Sequence, residues 1–236
     1  MKTAIILQTR LDSSRLPRKA LLDLCGEPLV CRVMQALNAV AADIRILACP
    51  KDSFDELSVL AGKNNFEIFA GSKDDVLRRY VDAIKYFELD KHLDNEDVRI
   101  IRATGDNPFV FADASDAINA EASALGADYA AYANLPYGAG VEAVSAAALL
   151  RADKKAESAY DREHVCPFLY GNPAMFKLHR PLAPLKWQHP ECRITVDEAA
   201  DYENAKKLYA ALTSMEDSRY TASKILMAID TAKGHL

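Results

Sequence analysis

The chain reads AIILQTRLDSSRLPRK over residues 4–19, which joins an apolar, strand-like run to a loop rich in cations. The loop holds four cationic residues, Arg10, Arg15, Arg18 and Lys19, against one acid, Asp12. In an open α/β sheet, ligands bind beyond the carboxyl ends of the strands, and the loop that leaves the first strand reaches that crevice. The pattern therefore predicts an anion-binding site directly after the first strand.

The side chains of this loop suit a polyphosphate. Guanidinium groups bind phosphate oxygens through paired hydrogen bonds, and a lysine adds a mobile point charge. Ser13 and Ser14, with nearby backbone amides, can complete an anion cradle. Neither G-x-x-x-x-G-K-[ST] nor G-x-G-x-x-G follows the first strand, so the phosphates would be held mainly by side chains. The alternative is a solvated loop whose cations pair with acids elsewhere, and composition alone leaves both open.

Length and composition narrow the class of protein. The 236 residues, of which 50% are hydrophobic, favour one large domain over residues 1–236. A net charge of −5 argues against a general nucleic-acid or anionic-membrane binder. The five cysteines are scattered without a C-x-x-C pair, which is typical of reduced core thiols. The first apolar run is too short for a signal peptide or a membrane span, so we expect a cytoplasmic location.

Working outward from the first strand, strand-like and helix-like segments alternate along the chain. This alternation predicts an α/β fold with a mostly parallel, mixed sheet sandwiched by helices. Ser53 and Glu56 predict a capping box at the start of one helix. The predicted elements also include one helix over residues 156–171 and short strands in residues 127–133, 140–145, 176–181 and 193–196.

Two carboxylates follow predicted strands. In RIIRATGDNPF, residues 99–109, Gly105 allows close approach of a ligand and Asp106 comes just past the strand end. In CRITVDEAADYE, residues 192–203, Asp197 ends a short β-branched run before an amphipathic helix, and Asp201 begins a helix face. Mg²⁺ usually takes one or two protein carboxylates and completes its shell with substrate phosphates and water. The alternatives are an Asx turn at Asp106 and a helix N-cap at Asp197.

The loop QTRLDSSRLPRK resembles the Q-A-R-x-x-S-x-R-L-P-G-K signature of cytidylyltransferases of the 3-deoxy-manno-octulosonate and acylneuraminate type. The nearest branch is the group of spore coat polysaccharide biosynthesis protein SpsF. The resemblance implies a nucleotide-diphospho-sugar transferase (GT-A, Rossmann-like) fold. It also implies a loop that binds the nucleoside triphosphate. By position, the phosphates would be bound by Arg10, Arg15 and Lys19, which would act in catalysis together with Asp106. The residues beside the nucleotide would be Gln8, Thr9, Ser14 and Gly105. Thr9 replaces the usual alanine, and Arg18 replaces the usual glycine, which could alter the turn.

Four other stretches extend the resemblance over nearly the whole chain. T-G-D-x-P and T-V-D-x-x-x-D match the two acidic stretches and imply that Asp106 and Asp197 bind Mg²⁺. AGSKDDVLRRY, residues 70–80, resembles G-S-x-x-D-V-L-x-R-Y and implies that Gly71 and Ser72 lie beside the nucleobase. GVEAVS and YDREHVCPFLYGNP resemble D-V-E-V-F-S and R-E-H-V-T-P-Y-I-Y-x-N-P. By position, these last two stretches imply that the acceptor faces Glu142, Arg162 and His164, with Gly140 and Cys166 as departures from the family pattern.

The resulting functional hypothesis is a Mg²⁺-dependent transfer of CMP from CTP to a sugar or sugar-like acceptor, with release of pyrophosphate, for surface polysaccharide synthesis. The resemblance also suggests a homodimer and an acceptor or dimerisation subregion around residues 134–192. No nucleic-acid or membrane partner is expected. The alternatives are the same fold using another nucleotide and a catalytically silent nucleotide-binding protein. A thiol nucleophile at Cys166 beside His164 lacks an orienting third group, and no histidine shows zinc-ligand spacing.

Overall fold

Apolar strands form one mixed β-sheet in the computed structural model, which describes residues 1–93, 97–215 and 220–233. Across the sheet the strands follow the order β3-β2-β1-β4-β6-β5-β7. β6 runs antiparallel to β4 and β5, and the other neighbours are parallel. The α/β class with a mostly parallel, mixed sheet is thereby confirmed. The strands are β1 (Lys2–Gln8), β2 (Ile44–Pro50), β3 (Glu67–Gly71), β4 (Val98–Thr104), β5 (Tyr129–Ala130), β6 (Glu142–Ser145) and β7 (Leu178–His179).

Helices cover both faces of the sheet. Successive side chains of a strand point to opposite faces, and in β1 Ile5 and Leu7 pack into one apolar cluster while Ala4 and Ile6 pack into another. The first cluster includes residues of α1, α2 and α4, and the second includes residues of α3, α5 and α7. The helices are α1 (Leu29–Asn38), α2 (Phe54–Lys63), α3 (Val76–Tyr86), α4 (Ala112–Leu125), α5 (Ala146–Asp153), α6 (Ala159–His164), α7 (Pro167–Tyr170), α8 (Ala199–Thr213) and α9 (Ala222–Lys233).

A third apolar cluster lies beside the end of β4. It joins α8 and α9 to Trp187 and to two residues of the loop that follows β4, Phe109 and Phe111. This packing holds the start of α8 near the carboxyl end of β4. Within the described residues, every helix is too short or too polar to cross a lipid bilayer.

The prediction of a strand over residues 193–196 is wrong. The segment is extended, but its ladder is reduced to a single bridge between Arg193 and Tyr137. The backbone N–H groups of Ile194 and Thr195 donate to the Tyr137 oxygen, and that of Val196 donates to the Asp106 oxygen. The segment crosses between two loops and therefore pairs with both instead of with one strand.

The predicted helix over residues 156–171 is two short helices. Val165 interrupts them with φ 71° and ψ −64°, a strained conformation for a β-branched residue. Pro167 begins α7, where its missing N–H costs no hydrogen bond. The break sends the Cys166 side chain into the core while the adjacent His164 faces open space.

The predicted capping box at Ser53 is wrong. Ser53 does precede α2, but its hydroxyl donates to an Asp52 carboxylate oxygen and accepts from the Leu11 backbone N–H. Ser53 is buried, and its hydroxyl therefore serves the cation-rich loop instead of the helix terminus.

Candidate active site

The cation-rich loop and the Asp106 loop leave the same edge of the sheet. β1 and β4 are parallel neighbours, and Gln8 at the end of β1 lies opposite Thr104 at the end of β4. Because parallel strands end at one edge, the two loops meet there, as the sequence predicts. Together with residues 131–142 and 163–170 they line a cavity of about 780 Å³.

The segment that carries Asp197 is bound to the Asp106 loop through backbone contacts. The backbone oxygen of Asp106 accepts from Val196 N at 2.8 Å and from Thr195 Oγ1 at 3.3 Å. Gly138 has a φ of 103°, and a Cβ there would lie 2.6 Å from Thr195 N. Only glycine allows this close approach, which brings Asp197 to the cavity from a distant part of the chain.

Asp106 and Asp197 converge on Lys19. The Lys19 ammonium lies 3.3 Å from Asp106 Oδ2 and 3.1 Å from Asp197 Oδ1. The side chains of Lys19 and Asp197 are only 15% and 13% exposed, so solvent screens this contact weakly. Asp106 Oδ1 accepts from Thr104 Oγ1 at 2.6 Å, which orients the carboxylate within the cavity. The structure thus brings together the two acids and the lysine that the sequence singled out.

Asp197 remains ionised at neutral pH. Burial raises its pKa, but hydrogen bonding and charge from Lys19, with further contributions from Arg15 and Arg193, outweigh burial and lower the pKa below its ordinary value. The alternative role as a helix N-cap is wrong, because the N-cap of α8 is Glu198. Asp197 is therefore free to face the cavity.

Asp201 supports Asp197 from the first turn of α8. Its Oδ2 accepts from the backbone N–H of Asp197 at 2.9 Å and of Glu198 at 3.1 Å. Arg193 binds both Asp201 and the second oxygen of Asp197. The Asp201 carboxylate thus fixes the backbone that presents Asp197.

The low pKa of Asp201 gives a pH prediction. Hydrogen bonding from Arg193 lowers the pKa below its ordinary value of 3.8, and burial opposes this only in part. The stabilisation is present above the unfolded-state pKa and is lost as pH falls through the lower folded-state pKa. We expect Asp201→Asn to be less stable than the wild type at pH 7 and to lose less stability on acidification below about pH 4. Urea denaturation at several pH values measures the stability of both proteins. If stability depends on pH in the same way in the variant and in the wild type, the lowered pKa of Asp201 is contradicted.

Two of the loop arginines line the cavity and are largely exposed. Arg15 is 61% exposed and lies 3.2 Å from Asp197, while Arg10 is 50% exposed with Asp12 and Glu163 at 3.8 and 3.9 Å. Long contacts at such exposure contribute little to stability. Both guanidinium groups are therefore available to a ligand, although each already has a carboxylate nearby.

Arg18 points away from the cavity and pairs with Glu56. Its backbone has φ 52° and ψ 32°, the left-handed conformation that glycine adopts without cost. An arginine adopts this conformation at a cost of about 1 kcal/mol. The extra cation therefore does not line the cavity.

The remaining nucleotide-side predictions divide between the cavity wall and its surroundings. Gly105 lines the cavity, but a Cβ there would meet Thr9 Oγ1 at 2.5 Å. Close packing against Thr9 by itself requires glycine at this position. Gln8, Thr9, Ser13 and Ser14 line the cavity, whereas Gly71 and Ser72 lie outside its lining.

Of the predicted acceptor residues, Glu142 and His164 line the cavity. The Glu142 carboxylate pairs with Arg102 and accepts from Tyr129 OH at 2.8 Å. Burial raises the pKa of Tyr129, and the adjacent Glu142 charge raises it further, so the phenol stays a donor. Glu142 is therefore rigidly held at the floor of the cavity.

Arg162 lies outside the cavity lining. Its guanidinium binds Asp75 Oδ2 at 2.6 Å and Asp153 Oδ1 at 2.7 Å and donates to the backbone oxygens of Asp153 and Ala156. These bonds join α6 to α3 and α5. The structure thus separates Arg162 from Glu142 and His164.

The separation predicts a stability effect for Arg162→Met. Because the partly buried Asp75 and Asp153 carboxylates lose their partner, we expect the free energy of unfolding to fall by about 1–3 kcal/mol. The Michaelis constant for the acceptor should stay within twofold, since no wall of the cavity changes. Urea denaturation and steady-state kinetics measure the two effects, and a raised Michaelis constant at full stability would restore the acceptor role.

Cys166 does not have the environment of a nucleophile. It is 1% exposed, and burial raises the pKa of its thiol well above the ordinary value, with the Glu142 charge adding to the effect. Elsewhere, possible ligand atoms of His189, Glu191 and Cys192 lie within 4.8 Å of one another. This group offers three donors, fewer than the four of a structural zinc site, and lies outside the cavity lining.

Sequence reasoning missed two arginines of the cavity wall, Arg79 and Arg102. Each had a signal. Arg102, like Arg99, interrupts the apolar run of β4, and Arg79 shares the buried face of α3 with Val76 and Ala83. A cation at a core position must find a partner, which marks it for a structural or a binding role.

The donor set fits a divalent cation such as Mg²⁺. Two carboxylates already surround one cationic atom, Lys19 Nζ, and they do so beside cations suited to phosphates. Hard oxygen ligands in this number are what Mg²⁺ takes from proteins when phosphates and water supply the rest.

Comparisons with known proteins show which family the chain belongs to. A family model for cytidylyltransferases matches residues 4–227. Spore coat polysaccharide biosynthesis protein SpsF of Bacillus subtilis is 32% identical over 212 residues, which are 86% of this chain and 85% of that protein.

Two solved structures share the fold. A cytidylyltransferase from Leptospira borgpetersenii has a TM-score of 0.85 at 23% identity, over 99% of this chain and 96% of that chain. CMP:2-keto-3-deoxy-manno-octonic acid synthetase complexed with CTP has a TM-score of 0.66 at 16% identity, over 89% of this chain and 99% of that chain. The family match spans nearly the whole sequence, and the chain therefore belongs to the cytidylyltransferase family and is a nucleotidyltransferase enzyme.

Proposed function

We propose that the enzyme transfers CMP from CTP to a sugar or sugar-like acceptor, with Mg²⁺ and with release of pyrophosphate. The observation that carries the proposal is the meeting of Asp106 and Asp197 around Lys19, beside Arg10 and Arg15 in one cavity. Cations for a triphosphate and carboxylates for a metal are thus placed together. The family, that of cytidylyltransferases, supports CTP as the nucleotide, and the name of the SpsF relative supports polysaccharide synthesis as the setting.

Asp106 and Asp197 would hold the metal ion, which would supply charge neutralisation at the phosphates and acidify the acceptor hydroxyl. The protein's own contribution is alignment and charge compensation, which phosphoryl-group chemistry chiefly requires. Arg10, Arg15 and Lys19 would bind the triphosphate and stabilise the negative charge on departing pyrophosphate. Lys19 can do so because the ligand and metal would relieve it of its two carboxylate contacts.

Glu142 and His164 would meet the acceptor. The contacts with Arg102 and Tyr129 fix the Glu142 carboxylate, whose oxygens can still accept further hydrogen bonds from hydroxyl groups. Hydroxyl-rich compounds are therefore the acceptors to test first. A homodimer, a cytoplasmic location and an acceptor or dimerisation subregion around residues 134–192 complete the proposal.

The test is pyrophosphate release from each of the common nucleoside triphosphates, with Mg²⁺, against a panel of acidic and neutral sugars. We expect release with CTP and one acceptor class, and none when the metal is chelated. Release that prefers another nucleotide would assign the same chemistry to that nucleotide. Magnesium-dependent CTP binding without release for any acceptor would instead support a silent binding protein.

A further inference from the structure

Arg79 of α3 is a buried cation. It is 2% exposed, and within the described ranges its guanidinium forms no ion pair with a carboxylate. The comparably buried Arg99 pairs with Asp97 at 2.8 Å, and Arg102 pairs with Glu142. An unpaired buried charge is costly, so its retention needs a reason outside the protein's own contacts.

The loop before α3 seats this guanidinium. Arg79 Nη1 donates to the backbone oxygen of Ser72 at 2.6 Å, and a Cβ at Gly71 would lie 2.8 Å from Arg79 Cγ. Glycine at position 71 thus leaves room for the arginine stem. Ser72 Oγ accepts from Asp75 N, which closes the turn into the helix. The motif AGSKDDVLRRY therefore serves, at least in part, to position Arg79.

Arg79 also lines the cavity beside Arg10. Its pKa is lowered mainly by burial, and repulsion from the Arg10 charge adds to this effect. Arg79 Nη2 has no hydrogen-bond partner within the described part of the chain, and Nε is buried without one. Two guanidinium groups thus line the same cavity, and that of Arg79 has donors without a partner among the described residues. An oxyanion would relieve both the repulsion and the missing bonds.

We propose that Arg79 is a phosphate-binding residue that takes an oxyanion of the nucleoside triphosphate together with Arg10. The inference rests on the proposed function in that the triphosphate is taken to be CTP. It assigns to α3 a direct role in nucleotide binding, for which Gly71 and Ser72 act as positioning residues.

The test compares Arg79→Met with the matched control Arg78→Met. Arg78 precedes Arg79 on the same helix but is 47% exposed, pairs with Asp82 and Asp153, and lies outside the cavity lining. Isothermal titration with CTP, with pyrophosphate and with cytidine separates the phosphates from the nucleoside. We expect Arg79→Met to weaken CTP and pyrophosphate binding by about tenfold to a hundredfold and to leave cytidine binding within twofold. The control should stay within twofold for all three.

Thermal denaturation without ligand separates binding from a structural role. Because the arginine charge is buried and unpaired, we expect the melting temperature of Arg79→Met to equal or exceed that of the wild type. A large drop in melting temperature with unchanged pyrophosphate affinity would overturn the proposal. Weakened cytidine binding with unchanged pyrophosphate binding would also overturn it and would assign Arg79 to the base.

Two further outcomes keep the inference separate from the proposed function. If Arg79→Met does not fold, Arg79→Lys takes its place in the test, because lysine retains the charge but lacks the planar fork of the guanidinium. We expect Arg79→Lys to weaken pyrophosphate binding by about tenfold. Unchanged pyrophosphate binding would overturn the proposal. If the wild type binds another triphosphate and not CTP, but still through Arg79, the choice of CTP fails and the inference stands. If the wild type binds CTP and Arg79→Met binds it equally well, the inference about Arg79 fails and the choice of CTP stands.

Discussion

Asp106→Asn is expected to fold normally and to release pyrophosphate at least a hundredfold more slowly than the wild type. The amide keeps the shape of the side chain and can still bond Thr104, but it carries no charge for a divalent ion. Asp197 alone would then face Lys19, which pairs with it at 3.1 Å. The loss should therefore fall on turnover, with a smaller effect on the fold.

Pyrophosphate release at saturating CTP and acceptor, over a series of Mg²⁺ concentrations, measures this effect. Circular dichroism and thermal denaturation check the fold. Asp55→Asn is the control, because Asp55 is exposed on α2 and lies outside the cavity lining. If Asp106→Asn turns over at near wild-type rate with unchanged Mg²⁺ dependence, Asp106 is not a metal ligand.

Lys19→Met is expected to raise the Michaelis constant for CTP by about tenfold to a hundredfold, because a charge-assisted contact to the triphosphate is lost. A second effect follows from the geometry. Without the ammonium, the Asp106 and Asp197 carboxylates lack the cation between them, and the pKa of Asp197 loses the interaction that lowers it most. The variant should therefore be less stable at neutral pH and should recover stability as Mg²⁺ is added.

The second effect has a close control within the same chain. Lys73 also bridges two carboxylates, those of Asp12 at 2.6 Å and Asp52 at 3.0 Å, but it is 44% exposed and lies outside the cavity lining. Thermal denaturation with and without Mg²⁺ should show a larger metal-induced rise for Lys19→Met than for the wild type or Lys73→Met. Equal rises in all three proteins would mean that the metal does not replace the lysine ammonium.

Several site features could be predicted because they are local. Asp106 follows an apolar strand directly, and its place at the sheet edge needs only the position of the strand end. The four loop cations are likewise adjacent in the chain. Asp197 was harder to place, since its predicted strand is absent and the N-cap of the following helix is the next residue, Glu198. Its position at the cavity depends on backbone bonds to Asp106 and on the close approach at Gly138, neither of which a strand or helix pattern contains.

The sequence alone was enough to predict the α/β class, the alternation of strands and helices along the chain, and the charged residue types at the strand ends. Periodicity and strand-end position are properties of short segments, which explains why they can be read without coordinates. The tertiary structure decided which charges meet. Lys19 and Asp197 are 178 positions apart, Arg162 turns to Asp75 and Asp153, and Arg79 contacts no carboxylate in the parts of the chain that the structure describes. Ionic contacts act over a few ångströms, a distance that only the folded packing of remote segments sets.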